Sequence, residues 1–221
     1  MHRINKIFFH DEAITIFSEE TFVEFLTSRR SYKRIFADQP LDPAIIEKIV
    51  NIAQWAPSAH NAQPWRFVAV IDPDRKQRLV SELSARFRED LVNDGMPAKE
   101  IEVRVQHSIH TFSAAPVLIV VCGWTEDTLD EYPDAIRQLA ERIMYTQSVA
   151  NGTCYLLLAA HACGLASCWY CAPLFAKDVV REVLDLPLTM DPLAFVTLGY
   201  PRGKASKAPL RKNVGEILTI L

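Results

Sequence analysis

Residues Ala56 to Phe67 read A-P-S-A-H-N-A-Q-P-W-R-F. Pro57 and Pro64 stiffen the backbone at both ends of this stretch. Ser58, Asn61 and Gln63 carry hydroxyl and amide groups that can read the donor and acceptor edge of a heterocycle. Trp65 beside them offers an apolar wall. Upstream, Asp42-Pro43 is an N-cap followed by an N1 proline, and Ile45, Ile46, Ile49, Val50 and Ala53 then recur at helical spacing. Downstream, Phe67 to Ile71 (FVAVI) is a short apolar run rich in β-branched residues, which predicts a buried strand. A stiff polar loop between a helix and a buried strand is a candidate site; its plainer reading is a turn that satisfies itself with local hydrogen bonds.

Working outward, Ser18 caps a helix running to the arginines near residue 29. Asp72-Pro73 opens another to about Asp90, and Gly95-Met96-Pro97 breaks it. A helix over Ala98 to about Phe112 precedes the predicted strand Val117 to Cys122 (VLIVVC). After an acidic loop, Glu126 to Asp134, the longest helical stretch runs from Pro133 to about Cys163, roughly 45 Å. Its length and apolarity suggest a central or subunit-interface helix. Strands are expected over Ala166 to Tyr170 and Leu193 to Leu198, with a helix from Phe175 to Leu184 between them. Beyond Gly199 the tail is basic and extended, closing with Val214 to Leu221. No compositional break marks a linker, so residues 1–221 read as one α+β or α/β domain with residues 1–17 as an N-terminal extension.

Composition narrows the function. The chain has 221 residues, 49% of them hydrophobic and 23% charged, with net charge −3. Disorder is excluded by the apolar content, and nucleic acid is an unfavoured partner at this charge. No stretch is long and apolar enough for a membrane span or secretory signal, so no membrane role and a cytoplasmic location are expected. The five cysteines suit reduced thiols. Cys163, Cys168 and Cys171 have the spacing of three iron–sulfur ligands, but no fourth cysteine follows, and no metal is expected. The glycines form neither a dinucleotide fingerprint nor a phosphate loop, so a nucleotide-like ligand must be held by side chains. Two basic clusters could do this: Arg29, Arg30, Lys33 and Arg34 in one, and Arg202, Lys204, Lys207, Arg211 and Lys212 in the other. Arginine's planar fork matches phosphate oxygens, so the pair could clamp a phosphate monoester; otherwise they are solvated surface patches.

Taken together, the arginine-serine cluster, P-S-A-H-N-A-Q-P-W, G-L-A-S-C-W after the long helix, and the basic tail after G-Y-P resemble the nitroreductase-like flavin oxidoreductase family from about Ser28 to the C-terminus. Within it, Ala166 to Leu186 is most similar to the C-terminal flavin domain of the two-domain enzyme of deazaflavin-coenzyme biosynthesis. The resemblance implies an α+β, three-layer fold with a mixed, mainly antiparallel sheet flanked by helices and a long central dimer-interface helix. It further implies a homodimer with FMN at the interface. Arg30 and Ser31 would hold the phosphate, joined by Arg29 and Lys33 in one alignment or by Tyr32 and Arg34 in the other, with Arg211 and Lys212 completing the clamp. Pro57 and Ser58 would cover the flavin from the partner subunit, Asn61 and Gln63 would reach ring or ribityl oxygens, and Trp169, Cys171 and Ala172 would border flavin N5. Many relatives carry Glu-Gly where this chain has Cys171-Ala172.

The resulting expectation is an FMN-dependent oxidoreductase. NAD(P)H or a reduced deazaflavin would give up hydride, and a conjugated small molecule, such as a deazaflavin precursor, would take it in ping-pong fashion. A general NAD(P)H nitroreductase or quinone reductase is the alternative within the class, and a non-catalytic flavin-binding protein lies outside it. No side-chain nucleophile is required.

Overall fold

The computed structural model describes residues 6–9, 12–15, 18–33, 36–203 and 207–221. Its centre is a four-stranded antiparallel sheet built from β3 (Trp65–Val70), β4 (Val117–Trp124), β5 (Ala166–Tyr170) and β6 (Met190–Gly199), in the order β3-β4-β6-β5. Because side chains alternate across a sheet, β4 feeds two cores. Val117, Ile119 and Val121 pack against α2 (Pro43–Ala53) and α5 (Ala135–Ala162), while Leu118, Val120 and Cys122 face the cluster of α3 (Pro73–Asn93) and α6 (Lys177–Leu184). With α4 (Ala98–Ser113) packed along α3, the result is the expected three layers. A separate two-stranded sheet joins β1 (Lys6–Phe9) to β2 (Glu12–Thr15), a hairpin the sequence pattern did not announce.

Local capping sets most helix starts. Ser18 accepts a hydrogen bond from the Thr21 N–H and opens α1 (Glu19–Ser28). Asp42 and Asp72 cap α2 and α3 ahead of their prolines. The long helix begins at Ala135, not at Pro133, because the Asp134 carboxylate accepts from the Arg137 N–H at 2.9 Å and takes the N-cap position. The expected helix from Phe175 is instead a 3₁₀ turn, Ala172–Phe175, followed by α6 from Lys177. β6 starts at Met190, earlier than Leu193, and tolerates Pro192 because the register against β4 shifts between Val121 and Cys122, at Pro192's own partner. The tail ends in only a short 3₁₀ turn, Val214–Glu216, and its described residues from 207 onward are all exposed.

Candidate functional site

The segment after α1 lies along the free edge of β5. Ser31 bridges Ser167 in parallel, the Tyr32 N–H donates to the Ser167 carbonyl at 3.0 Å, and Phe36 bridges Pro201. These contacts bring the two basic clusters together. Arg29, Arg30, Ser31, Tyr32 and Lys33 line a cleft of about 350 Å³ whose opposite wall is Lys207, Pro209 and Arg211. No carboxylate among the described residues lines it. Arg29 Nη1 is buried without a hydrogen-bond partner among the described residues. Lys212 is exposed beside the cleft without lining it, and Arg34 lies outside the described residues. Arg30 folds its Nη1 back onto the carbonyls of Thr27 and Arg29. At the rear, His161 near the end of α5 meets Ser28 Oγ through Nε2 at 2.9 Å and stacks on Phe25, with ring centroids 5.0 Å apart. Burial, reinforced by Arg29 and Arg30, holds its pKa below the ordinary histidine value.

The Ala56–Trp65 loop is built at another point along α5. The Ala59 N–H donates to Ser148 Oγ at 3.1 Å, and Asn151 Nδ2 donates to the Pro57 carbonyl at 3.1 Å. Ser58 Oγ accepts from the Gln63 N–H at 3.0 Å, closing the loop on itself. His60, Asn61 and Gln63 have φ values of 52°, 54° and 46°, a left-handed backbone that side chains other than glycine adopt at a cost. Pro57, Asn61 and Gln63 are exposed as a result, and Ser58 is half-buried. Gly152 of α5 lets the buried Trp65 ring approach; a Cβ there would stand 2.9 Å from the indole. Ser148 and Asn151, which hold the loop, were not singled out from sequence, although polar residues on a largely apolar helix were a usable signal.

The third predicted element lies at the end of β5. Trp169 is half-buried, and its indole Nε1 has no hydrogen-bond partner among the described residues. Cys171 is exposed, Cys168 is buried, and both are free thiols. Ala172 starts the 3₁₀ turn. Thus the structure gathers Arg29, Arg30, Ser31 and Arg211 into one cleft, aligns Trp169 to Ala172 along the same strand edge, and keeps the Pro57–Gln63 loop apart. His161 and the Asn151 anchor are separated by about 15 Å along the α5 axis.

The Nitroreductase family model matches residues 26–200, which includes Arg29 and Arg30, the loop and the whole four-stranded sheet. The chain belongs to the Nitroreductase family. That membership makes it an oxidoreductase. An Archaeoglobus fulgidus protein whose name pairs NADH dehydrogenase with NAD(P)H nitroreductase is 28% identical over 187 residues, covering 83% of this chain and 87% of its own length. An iodotyrosine deiodinase of Haliscomenobacter hydrossis is 26% identical over 209 residues, covering 90% and 88%. Among solved structures, a BluB-like flavoprotein of Clostridium difficile superposes with a TM-score of 0.74 at 25% identity, over 90% of this chain and 98% of that one. An FMN-dependent nitroreductase of Mycobacterium smegmatis, solved with NADPH, shares the fold at a TM-score of 0.71 and 18% identity, over 91% and 98%.

Of the described residues, no group of three or more His, Cys, Asp or Glu side chains is placed to hold a metal ion. Among them, no helix is long and apolar enough to cross a membrane.

Proposed function

We propose that this chain is an FMN-dependent oxidoreductase that works as a homodimer, with its phosphate clamp in the Arg29–Arg211 cleft. The observation that carries this reading is Arg29 Nη1, buried without a partner among the described residues, beside a cleft whose described lining holds five cations and no acid. A buried guanidinium donor left unsatisfied is costly, and a phosphate dianion supplies the missing acceptor. From Ser31's partner Ser167, the strand edge continues to Cys171 over about 13 Å. That distance suits a ribityl phosphate lying along the edge with its fused ring near Trp169–Ala172. The Trp169 N–H supports this placement, since it too lacks an acceptor among the described residues.

FMN, when bound, supplies a two-electron hydride carrier at N5. The protein's part is to bind it, orient it and surround it with donors that favour the reduced, more negative state. Arg29, Lys33, Lys207 and Arg211 supply positive charge at the phosphate end. Pro57, Asn61 and Gln63 are exposed and Ser58 half-buried on a loop held away from the cleft in the same chain, and none of the four lines that cleft. A second copy therefore completes the site. Two surfaces support this pairing. Ile136, Leu139 and Ile143 are exposed at i, i+3, i+7 spacing on α5, a seam suited to another helix. The tail carries Leu210, Ile217 and Ile220 exposed.

NAD(P)H is the hydride donor this reading favours, because the relatives' names point to it. The acceptor is a conjugated small molecule reduced in turn at the same face. A deazaflavin precursor as that acceptor, and a reduced deazaflavin as donor, rest on the Ala166–Leu186 resemblance alone. The test is direct: purified protein, stripped and reconstituted, should show a resolved flavin spectrum with FMN released on denaturation and should elute at twice 25.0 kDa. Failure to bind FMN, or elution as a monomer with FMN fully bound, overturns the reading. Bleaching of bound flavin by NAD(P)H and not by reduced deazaflavin separates the two donors.

A further inference from the structure

His161 stands where two helices end. It lies in the last turn of α5, and its ring packs on Phe25 in the last turn of α1. Its Nε2 is 2.9 Å from Oγ of Ser28, the residue that immediately precedes Arg29. The Ser28 hydroxyl donates its hydrogen to the Phe25 carbonyl at 3.0 Å, so its oxygen turns a lone pair to the imidazole and Nε2–H is the donor. Neutral His161 is therefore the Nε2–H tautomer, and Nδ1 is the atom that takes up a proton. The last turn of α1 has no basic residue of its own, so α5 supplies through His161 the titratable base that this helix end lacks.

Opposed influences act on that proton. Burial disfavours imidazolium, the Phe25 carbonyl favours it, and Arg29 and Arg30 disfavour it. The C-terminal dipoles of α1 and α5 add to the favourable side. Lys33, Lys207 and Arg211 line the cleft with the two arginines and share their sign. The acids of α1, Glu19, Glu20 and Glu24, are exposed in its earlier turns, and neither helix carries a carboxylate in its last turn. Among these influences, the charge of the cleft is the one a ligand can cancel. We propose that His161 is a positioning residue of the phosphate clamp, holding Ser28 and hence Arg29–Ser31 through Nε2–H, and that a dianion entering the cleft is accompanied by proton uptake at His161 Nδ1. The proposal rests on the flavin reading only in naming FMN as the carrier of that dianion. By reciprocity, protonation of His161 tightens the hold on the dianion by the same factor as the dianion tightens the hold on the proton. About tenfold is the order that one adjacent charge commands.

The experiment follows the ring nitrogens of 15N-histidine-labelled full-length protein through a pH titration, stripped and FMN-loaded, with His161→Gln identifying the His161 signals. FMN affinity is measured in parallel by fluorescence quenching at pH 6 and pH 8. Glutamine keeps an N–H for Ser28 Oγ but cannot take up a proton, and dividing by its affinity cancels the phosphate's own ionisation near pH 6. FMN should raise the proton affinity of His161 about tenfold, with Nε2–H as the neutral tautomer. The wild-type affinity relative to His161→Gln should be about threefold or more larger at pH 6 than at pH 8, part of the tenfold change falling below that range. His161→Phe keeps a ring against Phe25 without a donor and should bind FMN about threefold or more weakly than His161→Gln at pH 8. A His161 titration unmoved in protein that holds FMN, or an affinity ratio independent of pH, overturns the proton coupling. Equal FMN affinity of the Gln and Phe variants at pH 8 overturns the positioning role. If the protein retains no FMN but excess inorganic sulfate raises the proton affinity of His161, the flavin reading fails and the coupling stands; if neither ligand does so, both fall.

Discussion

Arg29→Met separates a ligand-binding arginine from a structural one. Methionine keeps most of the stem's packing while removing the guanidinium. Arg29 Nη1 is buried with no acceptor among the described residues, and its cleft neighbours Arg30, Lys33, Lys207 and Arg211 carry the same sign. An unsatisfied buried donor costs about 1–3 kcal/mol, so its removal should stabilise the apo protein. For a chain of this length, 1 kcal/mol corresponds to roughly 2–4 °C in Tm. The FMN-bound state should respond in the opposite direction. Losing charge-assisted hydrogen bonds worth about 1.5–3 kcal/mol weakens FMN binding by roughly 10- to 150-fold. Differential scanning calorimetry of stripped protein gives the first quantity, and quenching of FMN fluorescence during titration gives the second. An apo protein that melts several degrees lower with unchanged FMN affinity would show that Arg29 holds the fold and would refute the argument.

Three other perturbations have definite signs. Gly152→Ala places a Cβ 2.9 Å from two atoms of the Trp65 indole; about 1 kcal/mol of helix propensity is gained against about 1–3 kcal/mol of overpacking, so urea denaturation should show a net loss of up to about 2 kcal/mol and the tryptophan emission should shift. Asp191 accepts from Lys177 Nζ at 2.8 Å through both carboxylate oxygens and from Arg181 Nη2 at 3.1 Å; because these groups are partly solvated, Asp191→Asn should cost about 1–3 kcal/mol, read as a lower denaturation midpoint with an unchanged m value. His161 has a depressed pKa in the folded chain, so the unfolded chain takes up the proton first, and apo stability should decline as pH falls below about 6.5. His161→Gln should flatten that part of the pH profile, and an unchanged slope would assign the decline to other groups.

Much of the fold was legible because its signals are local. Ser18, Asp42-Pro43 and Asp72-Pro73 announce helix starts through bonds to N–H groups two or three residues away. Where a distant partner decides, the reading went astray. The strand expected from Leu193 begins at Met190, with Pro192 accommodated by the register shift opposite it in β4. The basic clusters were visible as charge, and their pairing on one phosphate was a possibility among others. Their meeting depends on the Ser31–Ser167 and Phe36–Pro201 bridges, which are non-local and leave no periodic trace. The left-handed backbone at His60, Asn61 and Gln63 was hidden for a related reason: none of the three is glycine, so the usual sequence marker is missing.

Residues Arg29 to Lys33 and Lys207 to Arg211 line one cleft while lying nearly 180 residues apart in the chain. A dianion gripped by both is therefore a removable cross-link that closes most of the polypeptide into one loop. Covalent closure of so long a loop stabilises a protein chiefly by shrinking the space its unfolded chain explores. A noncovalent clasp acts through mass action on the folded state instead, with a strength that follows ligand concentration. The fully exposed tail that supplies Lys207 and Arg211 would then be protected from proteases in step with occupancy of the cleft, so that a cell's supply of the ligand sets the lifetime of the chain.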